Sequence, residues 1–235
     1  MTVTVFSPEE WEIVQLSLKV SFAAMLFTLP LAFALAWVLA RWRFPGKLLL
    51  DAAVHLPLVL PPVVIGWLLL LTLGPAGPVG SIMERWLGVT VMFRWTGAAI
   101  AAGIMALPLM VRAIRLSIEA VDHRLEEAAQ TLGASPAWCF LTILLPLSLP
   151  GIAAAFILGF ARSLGEFGAT ISFVSNIPGE TRTLSLAIYS ALQIPGADAV
   201  VWRLAVISIC LSLGALLLSE ALSRRVSADR SSHVL

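Results

Sequence analysis

The stretch Glu127-Ala128-Ala129-Gln130-Thr131-Leu132-Gly133, followed by Ile143-Leu144-Leu145-Pro146, decides the fold because it is a polar segment enclosed by long apolar ones. Charged groups that cannot lie in lipid gather before and within it, namely Glu119, Asp122, His123, Arg124, Glu126 and Glu127. Ala128 and Ala129 form a small-residue surface that another backbone can approach, and Gly133 permits a turn. The stretch therefore predicts a compact knob presented to a partner, with an ordinary amphipathic surface helix as the alternative.

The composition around this stretch is that of a membrane protein. Of the 235 residues, 59% are hydrophobic and 12% are charged, and the mean hydropathy is +0.95. One soluble core could not bury so much apolar surface. We therefore expect an all-α integral membrane protein, one membrane domain over residues 13–223, preceded by an extracytoplasmic segment 1–12 and followed by a polar cytoplasmic tail 224–235. The last part of that tail, 227–233, is expected to lack regular structure.

Five membrane spans are predicted, since a span needs about 20 mostly apolar residues. The four that satisfy this directly are 14–40, 48–73, 97–118 and 200–222. Between the third and the last, the uncharged run 128–161 is too long for one helix. We predict a short helix over 122–132, a turn at Gly133, and a second short helix that begins at Ser135-Pro136 and ends by Pro146. The remaining span then starts near Pro150 and reaches Val174, and Pro61-Pro62 is expected to kink the second span.

The distribution of Lys and Arg predicts the orientation, because these residues are enriched in cytoplasmic loops. The larger group lies on the side of the polar knob: Arg41, Arg43, Lys47, Arg112, Arg115, Arg124, Arg224, Arg225 and Arg230. The smaller group lies on the other side: Lys19, Arg85, Arg94, Arg182 and Arg203. The N-terminus is therefore predicted outside and the C-terminus inside. The run 183–197 is too short to cross, so we expect a short amphipathic helix at the outer surface there rather than a sixth span; a re-entrant hairpin stays open.

The sequence shows no pattern of a disulfide framework, a metal site, a nucleic-acid site or a nucleotide site. Cys139 and Cys210 give no disulfide framework or metal cluster, and the basic residues form no run of the kind that binds nucleic acid. Gly46-Lys47 is followed by Leu48 and lacks the glycine of a P-loop five residues earlier. We expect a chain that is not an enzyme and holds no metal or cofactor. Any nucleotide hydrolysis must then come from another chain.

The knob is spaced as E-A-A-x3-G-x9-I-x-L-P, and this pattern resembles the cytoplasmic coupling loop of ABC importer permeases. The resemblance implies the type I ABC importer permease fold. It implies that Glu127, Ala128, Ala129 and Gly133 couple the chain to a cytoplasmic ATPase dimer, which uses ATP and Mg²⁺. The remaining motif positions, Ile143, Leu145 and Pro146, would anchor the loop to the membrane domain. A second copy of the chain and an extracytoplasmic oxyanion-binding protein are the other implied partners.

Two charges fall inside the fourth predicted span. Arg162 and Glu166 are four residues apart, so on one helix they share a face and can pair. A lone charge near the bilayer centre costs about 2.5–3.5 kcal/mol on insertion scales, so neither is expected to face lipid. Two interpretations stay open: the pair borders the transport pathway or its gate, or it only locks helix packing.

The string from Phe160 to Thr170, with Gly165-Glu166-Phe167-Gly168 at its centre, resembles molybdate importer permeases. The outer segment Asn176-Ile177-Pro178-Gly179-Glu180-Thr181-Arg182-Thr183 and the earlier segments 44–47 and 55–64 share this resemblance, which covers essentially residues 10–222. Sulfate permeases share the Gly-Glu-Phe-Gly core, whereas the outer segment is more similar to the molybdate group. The resemblance implies ATP-driven molybdate import across the bacterial inner membrane, with sulfate or thiosulfate as the nearest alternative.

An oxyanion in transit favours backbone N–H groups and hydroxyl donors over many fixed charges, because tight binding would slow its release. The candidate pathway or gate residues are Arg162, Ser163, Gly165, Glu166, Gly168 and Thr170, with Ser172 nearby. The alternative is that these hydroxyls bond only to their own helix. An ion-coupled secondary carrier is a further alternative from another class. The absence of visible inverted halves and the presence of the coupling pattern argue against it.

Overall fold

The computed structural model describes the backbone of residues 7–232, and the side chains of 7–218 and of residue 221. The described chain is helical throughout, and its first helix, α1, spans Pro8–Arg41. Ser7 caps this helix by accepting a hydrogen bond from the Glu10 backbone N–H, and the Glu10 carboxylate accepts one from the Ser7 N–H in return. The helix that contains the predicted first span therefore begins before residue 14, and residues 1–6 of the predicted N-terminal segment lie outside the described residues.

The predicted second span is divided into two helices, α2 (Lys47–Val59) and α3 (Pro62–Leu73), which are bent by 115° relative to each other. Pro61 and Pro62 cause the break, since neither has an N–H to continue the helix of α2. The expected kink is thus confirmed, but it is sharp enough to end one helix and begin another. A short helix, α4 (Pro78–Leu87), then precedes α5 (Trp95–Glu119).

Helix α5 is the central element of the bundle and packs against α1, α2 and the later helix α8, which spans Leu145–Leu164. It presents many small side chains, among them the fully buried Ala98, Ala102 and Ala106. Larger buried residues, Met110, Ile114 and Ile118, follow toward its C-terminal end. Small residues let helix backbones approach closely, which is how bundles within lipid gain packing contacts.

The predicted end of the second short helix at Pro146 is wrong. Helix α6 (His123–Thr131) and the turn at Gly133 lie where we expected them, and α7 (Pro136–Cys139) begins at the predicted Ser135-Pro136. However, α7 continues through a π-helical stretch, Phe140–Leu144, into α8 (Leu145–Leu164). The Leu145 N–H bonds to the Phe140 carbonyl five residues earlier, so the ladder widens just before Pro146. A wider turn relieves the clash that proline makes with the carbonyl four residues back.

The predicted span 150–174 is therefore also corrected. Its helix starts at Pro136 and ends at Leu164, and a separate helix, α9 (Gly168–Val174), follows a break at residues 165–167. The expected short helix in 183–197 is present as α10 (Leu184–Leu192), with Leu184, Leu186, Ala187 and Ala191 buried. Helix α10 packs against α1 and against the last helix, α11 (Asp198–Ser232), so it is part of the bundle more than an amphipathic surface helix.

The last helix, α11, spans Asp198–Ser232, so the expectation of no regular structure is wrong for residues 227–232. Ile13 and Val14 of α1, Leu184 and Ala187 of α10, and Leu204 of α11 form a second apolar cluster that joins the three helices. Four helical segments among the described residues are long and apolar enough to cross a membrane, and the bent pair of α2 and α3 makes a fifth. This is a multi-pass membrane protein with four or five spans.

Candidate functional site

Helix α6 and the turn after it are held by local hydrogen bonds. The Asp122 carboxylate accepts from the Arg124 N–H at 2.9 Å and caps the helix N-terminus. At the other end Gly133 has φ +92°, a left-handed conformation that side chains disfavour. The Ala134 N–H then donates to the Ala129 carbonyl at 3.0 Å, and the Ser135 hydroxyl caps α7. The predicted knob is thus a rigid helix, turn and helix start.

The surface of the knob contains most of the residues that are predicted to couple the chain to an ATPase. Glu127, Ala128 and Gly133 are exposed, and Ala129 is half-buried. A Cβ atom placed on Gly133 would meet nothing within 4 Å, so this turn faces open space. The role of these residues in coupling stays a prediction, because their positions show only that they are available to a partner.

Three exposed apolar side chains on this surface were missed from the sequence. Leu125 is 48% exposed, Trp138 is 61% exposed and Leu132 is 90% exposed. Exposed apolar groups beside so many charges are available to a partner surface. For Leu132, the sequence signal was its position directly before the turn glycine Gly133.

The knob is fixed to α1 by an ion pair that joins residues 85 positions apart in the chain. The Arg41 guanidinium contacts the Glu126 carboxylate, and its other terminal nitrogen lies 2.6 Å from His123 Nδ1. Only 11% of the Arg41 side chain and 19% of the Glu126 side chain are exposed. Charge-assisted bonds of this kind are stronger than neutral ones, and partial burial protects them from screening. The ion pair therefore joins α6 to the end of α1.

The predicted anchor residues lie where α7 continues into α8. Ile143 and Leu145 are half-buried and Pro146 is exposed, whereas Leu144 between them is fully buried. Aromatic contacts add to this attachment, since the Phe140 ring lies 4.8 Å from the Trp37 ring and 6.1 Å from the Phe33 ring of α1. The anchoring role of Ile143, Leu145 and Pro146 stays a prediction. Leu144 and Phe140 make the closer contacts with the membrane bundle.

Replacing Arg41 by Ala should loosen the knob without unfolding the bundle. Glu126 and His123 would lose their shared partner, and the α6 segment should become at least several-fold more susceptible to limited proteolysis. Mass spectrometry of the fragments would locate the cleavage. Arg43→Ala is the matched control, because Arg43 is exposed two positions later. Equal cleavage rates in the two variants would mean that the ion pair does not hold α6.

Arg162 and Glu166 form the expected ion pair, with Arg162 Nη1 2.8 Å from Glu166 Oε2. They do not share one helix, because Arg162 is in the last turn of α8 and Glu166 follows the end of that helix. The other carboxylate oxygen of Glu166 accepts the Ala169 N–H at 2.9 Å, near the start of α9. The Glu166 side chain is only 2% exposed. One buried carboxylate therefore joins the end of α8 to the start of α9.

The other candidate pathway residues surround this junction. Ser163 and Thr170 are buried, Gly165 is exposed, and Gly168 packs against Pro62 of α3. Ser172 bonds to its own helix, donating to the Gly168 carbonyl at 2.9 Å, as one of the two interpretations expected. The Ser163 hydroxyl is buried and has no hydrogen-bond partner among the described residues. A lining role for this set stays a prediction.

The segment 175–183 after α9 is a folded loop rather than a loose connection. The fully buried Thr181 accepts the Ile177 N–H at 2.8 Å and donates to the Ser175 carbonyl at 3.1 Å. Arg182 donates to the Asn176 side chain at 3.2 Å and pairs with Glu9 of α1 at 3.3 Å. The loop is thereby tied to the start of α1, at the end of the bundle opposite α6.

Comparison with known proteins gives the family. Residues 18–228 match the model of the "Binding-protein-dependent transport system inner membrane component" family. The molybdenum transport system permease protein ModB of Escherichia coli (strain K12) is 55% identical over 97% of this chain and 99% of its own length. Its counterpart in Haemophilus influenzae is 57% identical over 91% of this chain and 93% of its own. The sulfate transport system permease protein CysT of E. coli is 36% identical over 90% of this chain and 77% of its own.

Solved structures agree on the fold. The crystal structure of a bacterial ABC transporter involved in the import of the acidic polysaccharide alginate aligns with a TM-score of 0.73, at 22% identity, over 94% of this chain and 81% of that one. The inward-facing MetNI methionine ABC transporter aligns with a TM-score of 0.66, at 17% identity, over 92% of this chain and 94% of that one. The chain belongs to the family of binding-protein-dependent transport system inner membrane components.

Proposed function

We propose that this chain is the permease subunit of an ATP-driven importer that moves molybdate across the bacterial inner membrane. The observation that carries this proposal is the identity of 55% and 57%, over nearly full length, with two permease proteins of molybdenum transport systems. The folded knob of α6 supports it, because it presents the E-A-A-x3-G surface on a rigid support. The fold is that of type I importers, with five spans when α2 and α3 count as one.

The chain itself is a mechanical part and does no covalent chemistry. Helix α6 and the turn at Gly133 dock on a cytoplasmic ATPase dimer, which binds ATP and Mg²⁺. Closure of the dimer pushes on Leu132 and the turn. The Arg41–Glu126 pair and the Phe140–Trp37 contact then transmit this movement to α1 and to the α7–α8 helix.

The orientation follows from the charges at the two ends of the bundle. The end that carries α6 also carries Arg41, Arg43, Lys47, Arg112, Arg115 and Arg124. Cytoplasmic loops are enriched in such residues, so this end faces the cytoplasm. The N-terminus is then outside and the C-terminus inside, and the folded loop 175–183 faces the extracytoplasmic binding protein.

The transporter contains two copies of the chain, and the pathway lies between them. Ser163, Gly165, Gly168 and Thr170 border the pathway beside the Arg162–Glu166 pair, where buried hydroxyl and backbone N–H groups suit an oxyanion. An ion-coupled carrier is not the proposal, since the family works with a binding protein. Purification in mild detergent checks the assembly: a permease is recovered with its ATPase, whereas a carrier is recovered alone.

Uptake of labelled molybdate separates the proposal from its nearest alternative. The complex is reconstituted in vesicles with the binding protein outside and ATP inside. We expect molybdate to accumulate, and a hundredfold excess of sulfate to reduce its uptake by less than about twofold. Sulfate is the alternative worth testing because CysT of E. coli is 36% identical. Vesicles without ATP are the control, and full competition by sulfate would assign the chain to sulfate transport.

A further inference from the structure

Helix α4 is a ten-residue helix between α3 and α5, at the end of the bundle opposite α6. Its start is pressed against the end of α3. A Cβ atom on Gly80 would stand 2.1 Å from the Gly74 carbonyl oxygen, and one on Gly77 would stand 2.5 Å from the Leu71 carbonyl oxygen. Only glycines permit such close approach, so α4 has a fixed position relative to α3 rather than the freedom of a surface loop.

The two sides of α4 differ up to its last residue, Leu87, which is 70% exposed. Gly80 is buried, and Met83 packs against the main apolar core. On another side Val79, Ile82 and Trp86 are 46%, 58% and 84% exposed. The spacing of three and then four residues places these three side chains in one stripe. Glu84 lies across the helix from the stripe.

Helix α4 cannot be a span, because ten residues make only about 15 Å of helix. Further apolar side chains are exposed on the elements before and after α4. Trp67 and Leu71 of the neighbouring α3 are about half-exposed, and after α4 the exposed apolar residues Val89 and Phe93 follow. The charges nearby are basic: Arg85 and Arg94 are both exposed, and neither forms an ion pair with another described residue.

We propose that α4 is a membrane-surface helix, and that the Val79, Ile82 and Trp86 stripe lies in the boundary between the lipid headgroups and acyl chains. Tryptophan is enriched at that depth, and an amphipathic helix there buries its apolar face about 5–10 Å deep. Arg85 and Arg94 contact the phosphates of the same leaflet. The occupant of the stripe is thus lipid, which holds the α3–α4 corner at the bilayer surface while other helices move.

Spin-label depth measurements test this assignment in the complete complex with its ATPase, reconstituted in phosphatidylcholine and phosphatidylglycerol vesicles. Labels are attached to Trp86→Cys and, as a second position on the stripe, Val79→Cys, after Cys139 and Cys210 have been replaced by Ala. Glu84→Cys is the matched control on the opposite side of α4. We expect the stripe labels to collide at least about threefold more with oxygen, relative to a water-soluble nickel chelate, than the Glu84 label.

Three results would overturn the proposal. Equal oxygen-to-nickel ratios at positions 84 and 86 would place the stripe in water. Immobilisation of the Trp86 label only after addition of the binding protein would make the stripe a protein-docking surface. Dipolar broadening between labels on two copies would make it a subunit interface. Transport by each labelled complex shows that the fold is intact.

Discussion

Glu166→Ala should greatly reduce the amount of assembled permease in the membrane. The substitution leaves the Arg162 guanidinium without its partner and the Ala169 N–H without its acceptor, both at the α8–α9 junction. Removing one partner of a buried ion pair costs about 3–5 kcal/mol. We expect roughly the lower value, because 29% of the Arg162 side chain is exposed. Fluorescence-detected size exclusion of the detergent-extracted complex measures the loss.

Glu9→Ala is the matched control for this change. Glu9 also pairs with an arginine, Arg182, but its side chain is 68% exposed. Exposed pairs contribute little to stability, so the Glu9 variant should assemble normally. If Glu9→Ala and Glu166→Ala reduce assembly equally, the burial of Glu166 is not what makes its pair important.

The double variant Arg162→Gln with Glu166→Gln distinguishes a gate from a packing lock. The side-chain amide oxygen introduced at position 166 can still accept the Ala169 N–H, and no uncompensated charge remains. Intact assembly with uptake reduced at least about tenfold would place the pair in the pathway. Normal uptake would exclude a gating role for the pair, and loss of assembly would make the pair a packing lock.

Local signals made much of the knob predictable. Asp122 and Ser135 are typical capping residues, and Gly133 is the usual residue for a left-handed turn, so each boundary depended on groups within three residues. The break at Pro61-Pro62 was predictable for the same reason. No contact with residues far along the chain was needed to predict these features.

Two features depended on information that neighbouring residues do not contain. Pro146 and Pro150 normally end a helix, and the π-helical stretch that lets the chain continue depends on how Phe140 and Leu144 pack against the bundle. The Arg41–Glu126 pair joins distant positions, so only the packing of α6 beside the end of α1 reveals it. The Arg162–Glu166 pair was predicted from helical spacing, yet it forms across a helix end, because the turn after α8 keeps the two side chains close.

Gly133→Arg should leave the permease assembled in the membrane but reduce molybdate uptake at least about tenfold, while the ATPase continues to hydrolyse ATP. Gly133 has φ +92°, where a residue with a Cβ atom pays about 1–2 kcal/mol. The new side chain would also project from the exposed turn, where nothing of this chain lies within 4 Å of a Cβ atom. The same turn is the surface proposed to meet the ATPase, so the bulk and charge fall at the point of contact.

Gly196→Arg separates backbone strain from loss of docking. Gly196 has φ +83° and equally open surroundings, but it lies between α10 and α11, at the end of the bundle opposite α6. Both variants carry the same strain and the same added charge, and only the Gly133 variant alters the knob. Uptake per ATP hydrolysed, measured in the same vesicles, should therefore fall for Gly133→Arg and stay near the unmodified value for Gly196→Arg. Equal uptake per ATP in the two variants would remove the turn at Gly133 from the coupling path, because strain alone would then account for any loss.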